Sequence, residues 1–250
     1  GKGTMDFRLS LAPLRDPKEK KMRGMTMVLE DLTETNQLKA HQRMFEKMVS
    51  PAVIRQLDKN ALHLGGSRAT LSVLFADISG FTNLGENVSP EVLLSVVNCY
   101  LSAAAEIILD EGGTIDKFLG DSVMAWFNAP LQQPDHALRA LRTAWRIREI
   151  LPQIYSQLET DFHLDFSMGI HTGEAIIGMI GSEKRMEFTA IGDTVNIAKR
   201  LQESAQASQI ILTAQTAAEV RPHVMLRRLD PLLVRGRRET LEVFELLGIN

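Results

Sequence analysis

The feature that most constrains the fold is the stretch 71–82, where a run of apolar and β-favouring residues ends in the carboxylate of Asp77. Such a run predicts a buried strand, and Ser79 with Gly80 predicts that the strand stops directly after it. A charge at the end of a buried strand is costly unless a partner neutralises it. A divalent cation is such a partner, so Asp77 is a candidate metal ligand.

A second carboxylate stands in a similar setting. Residues 112–127 predict two short strands that turn around Gly120 and Asp121. If this hairpin lies beside the first strand, Asp77 and Asp121 meet, and two ions held about 4 Å apart suit a displacement at phosphorus. The alternative is that Asp77 caps a helix and Asp121 is a turn residue. Either carboxylate alone favours that alternative, whereas the matched pair favours a metal site.

Composition bounds the class of protein. The chain has 250 residues and a formal net charge of −3, which argues against a nucleic-acid partner. Its one cysteine, Cys99, excludes an intrachain disulfide and fits a reducing, cytoplasmic location. We expect no membrane segment in this chain, because we find no run of residues long and apolar enough to span a bilayer. We also expect the chain to belong to a longer protein.

The beginning of the chain predicts a small hairpin. Residues 5–34 form two alternating runs around a charged turn at 15–24, and residues 31–34 predict a helix start. Since an isolated hairpin is marginal in water, this one is expected to be part of a larger sheet. It resembles the last two strands of a PAS sensor domain, so residues 1–34 are assigned to the C-terminal end of such a domain.

Residues 35–57 then show a helical pattern interrupted by Pro51. This stripe is either ordinary core or a short parallel coiled coil that pairs two protomers. We assign residues 35–65 to a signalling helix between domains, with a loop over residues 60–68.

The remaining pattern predicts a mixed fold. Long helices are predicted at 90–111 and 134–158, strands at 162–170 and 175–180 joined by a turn at 171–174, and a helix at 194–207; shorter elements follow at 209–212, 214–220, 226–234 and 241–247. From residue 71 the order is strand, helix, strand, strand, helix, strand. This is an α+β fold with a ferredoxin-like split βαβ core and additional strands and helices.

Four motifs in this order resemble class III nucleotidyl cyclase catalytic domains. They are Phe-Ala-Asp-Ile-Ser-Gly-Phe-Thr at 75–82, Lys-Phe-Leu-Gly-Asp at 117–121, Gly-Ile-His-Thr-Gly at 169–173 and Ile-Gly-Asp-Thr-Val-Asn-Ile-Ala-Lys-Arg at 191–200. Val-Arg-Gly-Arg at 234–237 fits the family's closing motif. The resemblance covers about 66–249 and assigns residues 66–250 to a catalytic domain.

The resemblance implies a role for each of several residues. Asp77, Asp121 and the carbonyl of Ile78 would hold two Mg²⁺ or Mn²⁺ ions per active site, one activating the ribose 3′-hydroxyl and the other holding the triphosphate. Asn196 would position the ribose, and Arg200 would stabilise charge on the α-phosphate. Arg235 stands where the family commonly has a lysine on the terminal phosphates.

The choice of base is implied by Lys117 and Thr189. Lys117 matches the family's adenine-recognising lysine, and a threonine at the second position resembles the bacterial and cyanobacterial-type adenylyl cyclases. A hydroxyl can accept a hydrogen bond from the adenine amino group or donate one to a ring nitrogen. Guanylyl cyclases usually carry Glu at the lysine position, so the resemblance favours ATP over GTP.

In this family one protomer supplies the metal carboxylates and the other supplies the remaining site residues. This chain carries both sets, which implies a homodimer with shared sites, regulated by an upstream sensor in cis. The chain is therefore predicted to convert ATP to 3′,5′-cyclic AMP and pyrophosphate. The alternatives are a guanylyl or relaxed-specificity cyclase, and a non-catalytic nucleotide-binding dimerisation module. The presence of Asp77, Asp121, Asn196 and Arg200 argues against the last of these.

Overall fold

A computed structural model describes residues 5–15, 22–36, 65–158, 162–182, 184–233 and 240–250. The chain divides into two compact units, residues 1–54 and residues 55–250. Most of the predicted signalling helix, including its coiled-coil alternative, lies outside the described residues, as does Arg235.

The first unit contains the predicted hairpin. Strands β1 (Phe7–Arg15) and β2 (Met22–Asp31) pair antiparallel, and residues 33–36 are helical. Leu9 lies opposite Leu29 and Leu11 opposite Met27, and all four side chains are more than half exposed. An exposed apolar face of this kind fits a piece of a larger sheet. Its assignment to a PAS domain stays a prediction.

The second unit is built on one large mixed sheet. Its strands are β3 (Gly65–Ser79), β4 (Thr114–Leu119), β5 (Ser122–Phe127), β6 (Asp165–Ser182), β7 (Arg185–Ile191), β8 (Ile210–Thr213), β9 (Val224–Arg228) and β12 (Val243–Ile249). They lie in the order β4-β5-β3-β6-β8-β12-β9, and β7 pairs with β6. Two short strands, β10 (Leu232–Leu233) and β11 (Thr240–Leu241), form a separate ladder.

The helices of this unit lie between the strands in sequence. They are α1 (Phe81–Gly85), α2 (Pro90–Asp110), α3 (His136–Glu149), α4 (Leu151–Gln157), α5 (Asp193–Ser204) and α6 (Ala214–Val220), with a 3₁₀ turn at Arg221–His223. The prediction of one helix over 134–158 is wrong, because the helix restarts at Leu151. Pro152 lies in the first turn of α4, where its missing amide proton costs least.

The predicted α+β fold class and ferredoxin-like core are confirmed. The succession β3-α2-β4-β5-α3-β6 places the four strands in the order β4-β5-β3-β6, and each adjacent pair is antiparallel. Strand β8 then adds parallel to β6, and β12 and β9 add antiparallel.

The sheet is packed on both faces, because successive side chains of β3 belong alternately to two different core clusters. Leu74 and Ile78 belong to the larger core cluster, which helices α2 and α3 cover. Val73 and Phe75 belong to a second cluster, to which α5 contributes Ala198. Because successive side chains of a strand point to opposite faces, Asp77 shares the face of Val73 and Phe75. The carboxylate therefore lies on the α5 side of the sheet.

Two predictions about the strands are wrong, and one strand was missed. Strand β3 begins at residue 65, so residues 65–68 are not a loop. The predicted turn at 171–174 lies inside β6, which stays paired with β3 over fifteen residue pairs, from Gly65 opposite Met179 to Ser79 opposite Asp165. Strand β7 was not predicted, although Met186, Phe188 and Ala190 alternate with its other residues.

Helix α2 requires a further correction. It has 21 residues and a mean hydropathy of 1.9, so by length and composition it could cross a membrane, contrary to expectation. In the structure one face of this helix packs into the core: its buried residues are Val96, Tyr100, Leu101, Ala104, Ile107 and Ile108. The side chain of Ser89 caps its first turn by accepting from the amide of Val92.

Helix α5 lies unusually close to the sheet at Gly169. A Cβ atom on Gly169 would lie 2.2 Å from the amide nitrogen of Gln202 and 2.5 Å from the carbonyl oxygen of Ala198. Both are backbone atoms of α5, so they cannot move aside without moving the helix. The glycine of the motif at 169–173 is thus required by packing.

We expect Gly169→Ala to lower the free energy of unfolding by about 2 kcal/mol, because overpacking forces the helix off the sheet. Urea unfolding measures this change. Gly85→Ala is the matched control, since its Cβ would meet only the side chain of Leu93 at 3.4 Å or more; we expect a change within about 0.5 kcal/mol. Equal effects of the two substitutions would contradict the packing argument.

Candidate active site

The structure brings Asp77 and Asp121 together. Asp77 lies opposite Ser122 in the β3–β5 ladder, and the amide of Ile78 donates to the carbonyl oxygen of Asp121 at 3.2 Å. The turn between β4 and β5 is formed by Gly120, at φ +67°, and Asp121. A positive φ is readily adopted by glycine, so the turn places Asp121 beside the end of β3.

The electrostatics of this pair indicate unneutralised negative charge. Burial raises the pKa of Asp77 above its ordinary value, and repulsion by the charge of Asp121 raises it further. The charge of Lys199 and a hydrogen bond from Ser122 act in the opposite direction, while Glu203 adds repulsion. A divalent cation would relieve this repulsion.

The residues present fit a hard divalent ion. Among the described residues no cluster of three or more His, Cys, Asp or Glu side chains could hold a metal. Mg²⁺ commonly takes one or two carboxylates and completes its shell with water and substrate phosphates. Asp77 and Asp121, with the carbonyl of Ile78, the residue directly after Asp77, match that donor set.

A cation that the sequence analysis missed lies next to this pair. Lys199 lies 5.6 Å from the centre of the Phe75 ring, and its ammonium donates to Gln202 Oε1 at 2.7 Å. Gln202 donates to Ser167 Oγ at 3.0 Å, and Ser167 donates to the carbonyl oxygen of Asp77 at 3.5 Å. Lys199 stands directly before Arg200 in the motif at 191–200, and this position could have marked it as a candidate site residue.

Helix α5 presents Asn196 and Arg200 to solvent. Both residues are exposed, and Arg200 donates to Glu203 Oε2 at 2.6 Å on the same helix. Positions 196, 200 and 203 follow one helical face. In this chain Arg200 is therefore engaged on its own helix, and the helix cation whose charge lowers the pKa of Asp77 is Lys199.

Lys117 and Thr189 lie on different strands, β4 and β7, which are in contact although β7 is hydrogen-bonded to β6. Phe188 packs on Trp126, with ring centres 6.2 Å apart. Lys117 then pairs with Glu187 at 2.6 Å.

Thr189 completes the group by donating to Asp116 Oδ2 at 3.0 Å. We call Asp116, Lys117, Glu187 and Thr189 the base cluster. Asp116 and Glu187 were not predicted, and the alternation around them carried no signal for their side-chain contacts.

Asp116 is the most unusual member of the base cluster. The β4–β5 register shifts between Ile115 and Lys117, and this irregularity leaves the Asp116 side chain only 1% exposed. Burial raises the pKa of Asp116 to about 6, against the opposing effects of Lys117 and Thr189. Its second oxygen, Oδ1, has no hydrogen-bond partner among the described residues.

The comparisons with known proteins agree with this architecture. Residues 66–248 match the model of the adenylate and guanylate cyclase catalytic domain. The chain therefore belongs to the class III cyclase catalytic domain family.

Among curated relatives, adenylate cyclase 1 of Rhizobium meliloti (strain 1021) is 33% identical over 194 residues, which is 75% of this chain and 29% of that protein. The adenylate cyclase of Anabaena cylindrica is 26% identical over 80% of this chain and 40% of its own length. The chain thus spans less than half the length of these two relatives.

Solved structures of the family match about three quarters of this chain. The adenylyl cyclase CyaB from P. aeruginosa has a TM-score of 0.72 and 33% identity, covering 74% of this chain and 97% of that one. The guanylyl cyclase Cya2 has a TM-score of 0.70 and 31% identity, covering 75% and 96%. Because the chain is about equally similar to an adenylyl and a guanylyl cyclase, overall similarity does not tell which nucleotide base it recognises. That question depends on the residues of the site.

We expect Asp121→Asn to stabilise the metal-free protein by about 0.5 kcal/mol, because it removes one of two neighbouring like charges. The same substitution should abolish the stabilisation that Mn²⁺ gives to the unsubstituted protein. Urea unfolding with and without Mn²⁺ measures both effects. A variant that is stabilised by Mn²⁺ as strongly as the parent would show that Asp121 holds no metal.

Proposed function

We propose that this chain carries an adenylyl cyclase that converts ATP to 3′,5′-cyclic AMP and pyrophosphate. The observation that carries the proposal is the meeting of Lys117 and Thr189 in the base cluster, on the same chain as the Asp77–Asp121 pair. Both sets belong to a chain whose relatives include named adenylate cyclases.

The reaction is an internal displacement at phosphorus. The 3′-oxygen of the ribose loses its proton and forms a bond to the α-phosphorus, while the bond to the bridging oxygen of pyrophosphate breaks. Asn196 holds the ribose in position for this attack. Arg200 stabilises the charge on the α-phosphate oxygens, and Arg235 binds the terminal phosphates.

Asp77, Asp121 and the carbonyl of Ile78 would hold two Mg²⁺ or Mn²⁺ ions. When bound, the ions supply charge neutralisation for the triphosphate and favour loss of the proton from the 3′-hydroxyl. The chain's own part is to hold these oxygen ligands at the rigid end of β3 and in the tight β4–β5 turn.

Adenine is recognised by Lys117 and Thr189. The ammonium of Lys117 donates to a ring nitrogen, and the hydroxyl of Thr189 accepts from the amino group. In the free chain Lys117 is paired with Glu187, and its ammonium keeps further protons to donate to the base.

We further propose that two copies of the chain share each site. Arg200 is engaged with Glu203 on its own helix, whereas a partner's Asp77–Asp121 pair carries unneutralised charge of the opposite sign. Large apolar side chains near the base cluster are also 43–50% exposed: Phe118, Leu119, Ile176 and Ile191. An exposed apolar group of this size beside a polar site suits contact with a second copy.

Control by an upstream sensor domain in cis, in the cytoplasm, belongs to the same proposal. The hairpin of the first unit exposes an apolar face that a larger sheet would cover. The chain also spans only 29% of adenylate cyclase 1 of Rhizobium meliloti.

A guanylyl or relaxed-specificity cyclase is the second candidate, favoured by the 31% identity to the guanylyl cyclase Cya2. Parallel assays with ATP and GTP, each with Mg²⁺ and Mn²⁺, separate the two. We expect cyclic AMP from ATP, with a value of kcat/KM at least about tenfold above that for GTP. Cyclic GMP as the main product would overturn the adenylyl assignment. Nucleotide binding without turnover by a dimer would favour the non-catalytic module.

Site sharing has a test of its own. Asp77→Ala and Asn196→Ala proteins should each be inactive, because each loses one half of every site. A mixture that exchanges subunits should regain about a quarter of the parent activity, since half of the dimers are mixed and each holds one intact site. A mixture as inactive as its components, with exchange verified by mass spectrometry, would contradict the shared-site proposal.

A further inference from the structure

We propose that Asp116 is a specificity-determining positioning residue: by accepting a hydrogen bond from the Thr189 hydroxyl, it leaves that hydroxyl able only to accept from a ligand and so selects adenine over guanine. This inference rests on the proposed cyclase function. It assigns the selectivity to a side chain that has no role in the reaction itself.

The geometry supports a fixed direction for this hydrogen bond. Thr189 Oγ1 lies 3.0 Å from Asp116 Oδ2, and Thr189 is 9% exposed. A carboxylate has no proton to give, so in this pair the hydroxyl must donate. The side chain of Asp116 is 1% exposed, so bulk water has little access to this hydrogen bond.

The direction of the bond decides which base fits. A hydroxyl whose proton is committed offers only lone pairs to a ligand, and the amino group of adenine donates to lone pairs. Guanine carries a carbonyl oxygen at the same ring position, so two acceptors would face each other. Two buried acceptors that face each other are both left without a hydrogen bond, and this loss strongly disfavours binding of guanine.

The same argument predicts a pH dependence with a definite sign. The charged groups that act on Asp116 are Lys117 on its own strand and Glu187 on β7, and together with burial they place its pKa at about 6. Below that pH the protonated carboxyl donates to Thr189, which frees the hydroxyl proton to meet a guanine carbonyl. Preference for ATP should therefore hold above about pH 6 and weaken as the pH falls through that value.

The test compares ratios of kcat/KM for ATP and GTP in the full chain at pH 8 and pH 5.5. A ratio cancels effects common to both substrates, such as protonation of the triphosphate or of Asp77. We expect the parent ratio to fall several-fold at pH 5.5. Asp116→Asn, which is nearly isosteric but can donate as well as accept, should lower the pH 8 ratio about tenfold and remove its pH dependence.

Three controls separate this role from a structural one. Asp110→Asn makes the same chemical change at an exposed carboxylate and should leave the ratio unchanged. Thr189→Ser keeps the hydroxyl and should keep the ratio. In a Thr189→Val background, adding Asp116→Asn should change the ratio no further, because the two residues act as a unit.

A merely structural Asp116 would lower both activities equally, and an unchanged ratio in Asp116→Asn overturns the inference while leaving the cyclase assignment intact. If Asp116→Asn lowers the ATP/GTP ratio in the Thr189→Val background as much as it does in the parent, the inference is overturned as well. Dissociation constants for 3′-deoxy-ATP and 3′-deoxy-GTP, which cannot cyclise, give the same comparison if turnover is absent. Binding of neither nucleotide would overturn both the inference and the proposed function.

Discussion

The site depends on the pairing of β3 with its two neighbours. The ladder to β6 runs over fifteen residue pairs, and the ladder to β5 ends where Asp77 faces Ser122. A strand held on both edges cannot shift its register without moving every side chain to the other face. The position of Asp77 is thus set by backbone hydrogen bonds far from it. Pairing of β5 with β3 in turn fixes the position of the turn that carries Asp121. The close contact at Gly169 of β6 fixes the position of α5 on the sheet.

Local sequence was sufficient for the parts of this arrangement that depend on local physics. The apolar run before Asp77 predicted a buried strand, and Gly120 predicted the turn that brings Asp121 beside it. Helix α6 was predicted at the residues it occupies, 214–220. The order of strands and helices was enough to identify the split βαβ core, because few topologies accept that order.

The errors arose where long-range pairing overrides local signals. Residues 171–174 contain Gly173 and a polar run, which locally favour a turn, yet β3 lies alongside and keeps this stretch extended. The hydrogen bonds of that ladder outweigh the local preference. Similarly, Asp116 and Glu187 belong to the base cluster only because β4 and β7, which are far apart in sequence, are in contact. Nothing within a few residues of either indicates that contact.

The irregularity in β4 has a consequence for how such a site can change over time. One extra residue at Asp116 opposes β5, so the side chains on either side of it no longer alternate as in a regular strand. Deleting a single residue there would restore a regular ladder and remove the buried carboxylate in one step. Substrate preference in this architecture can therefore be altered by a change in chain length, and the residues that contact the nucleotide can remain as they are.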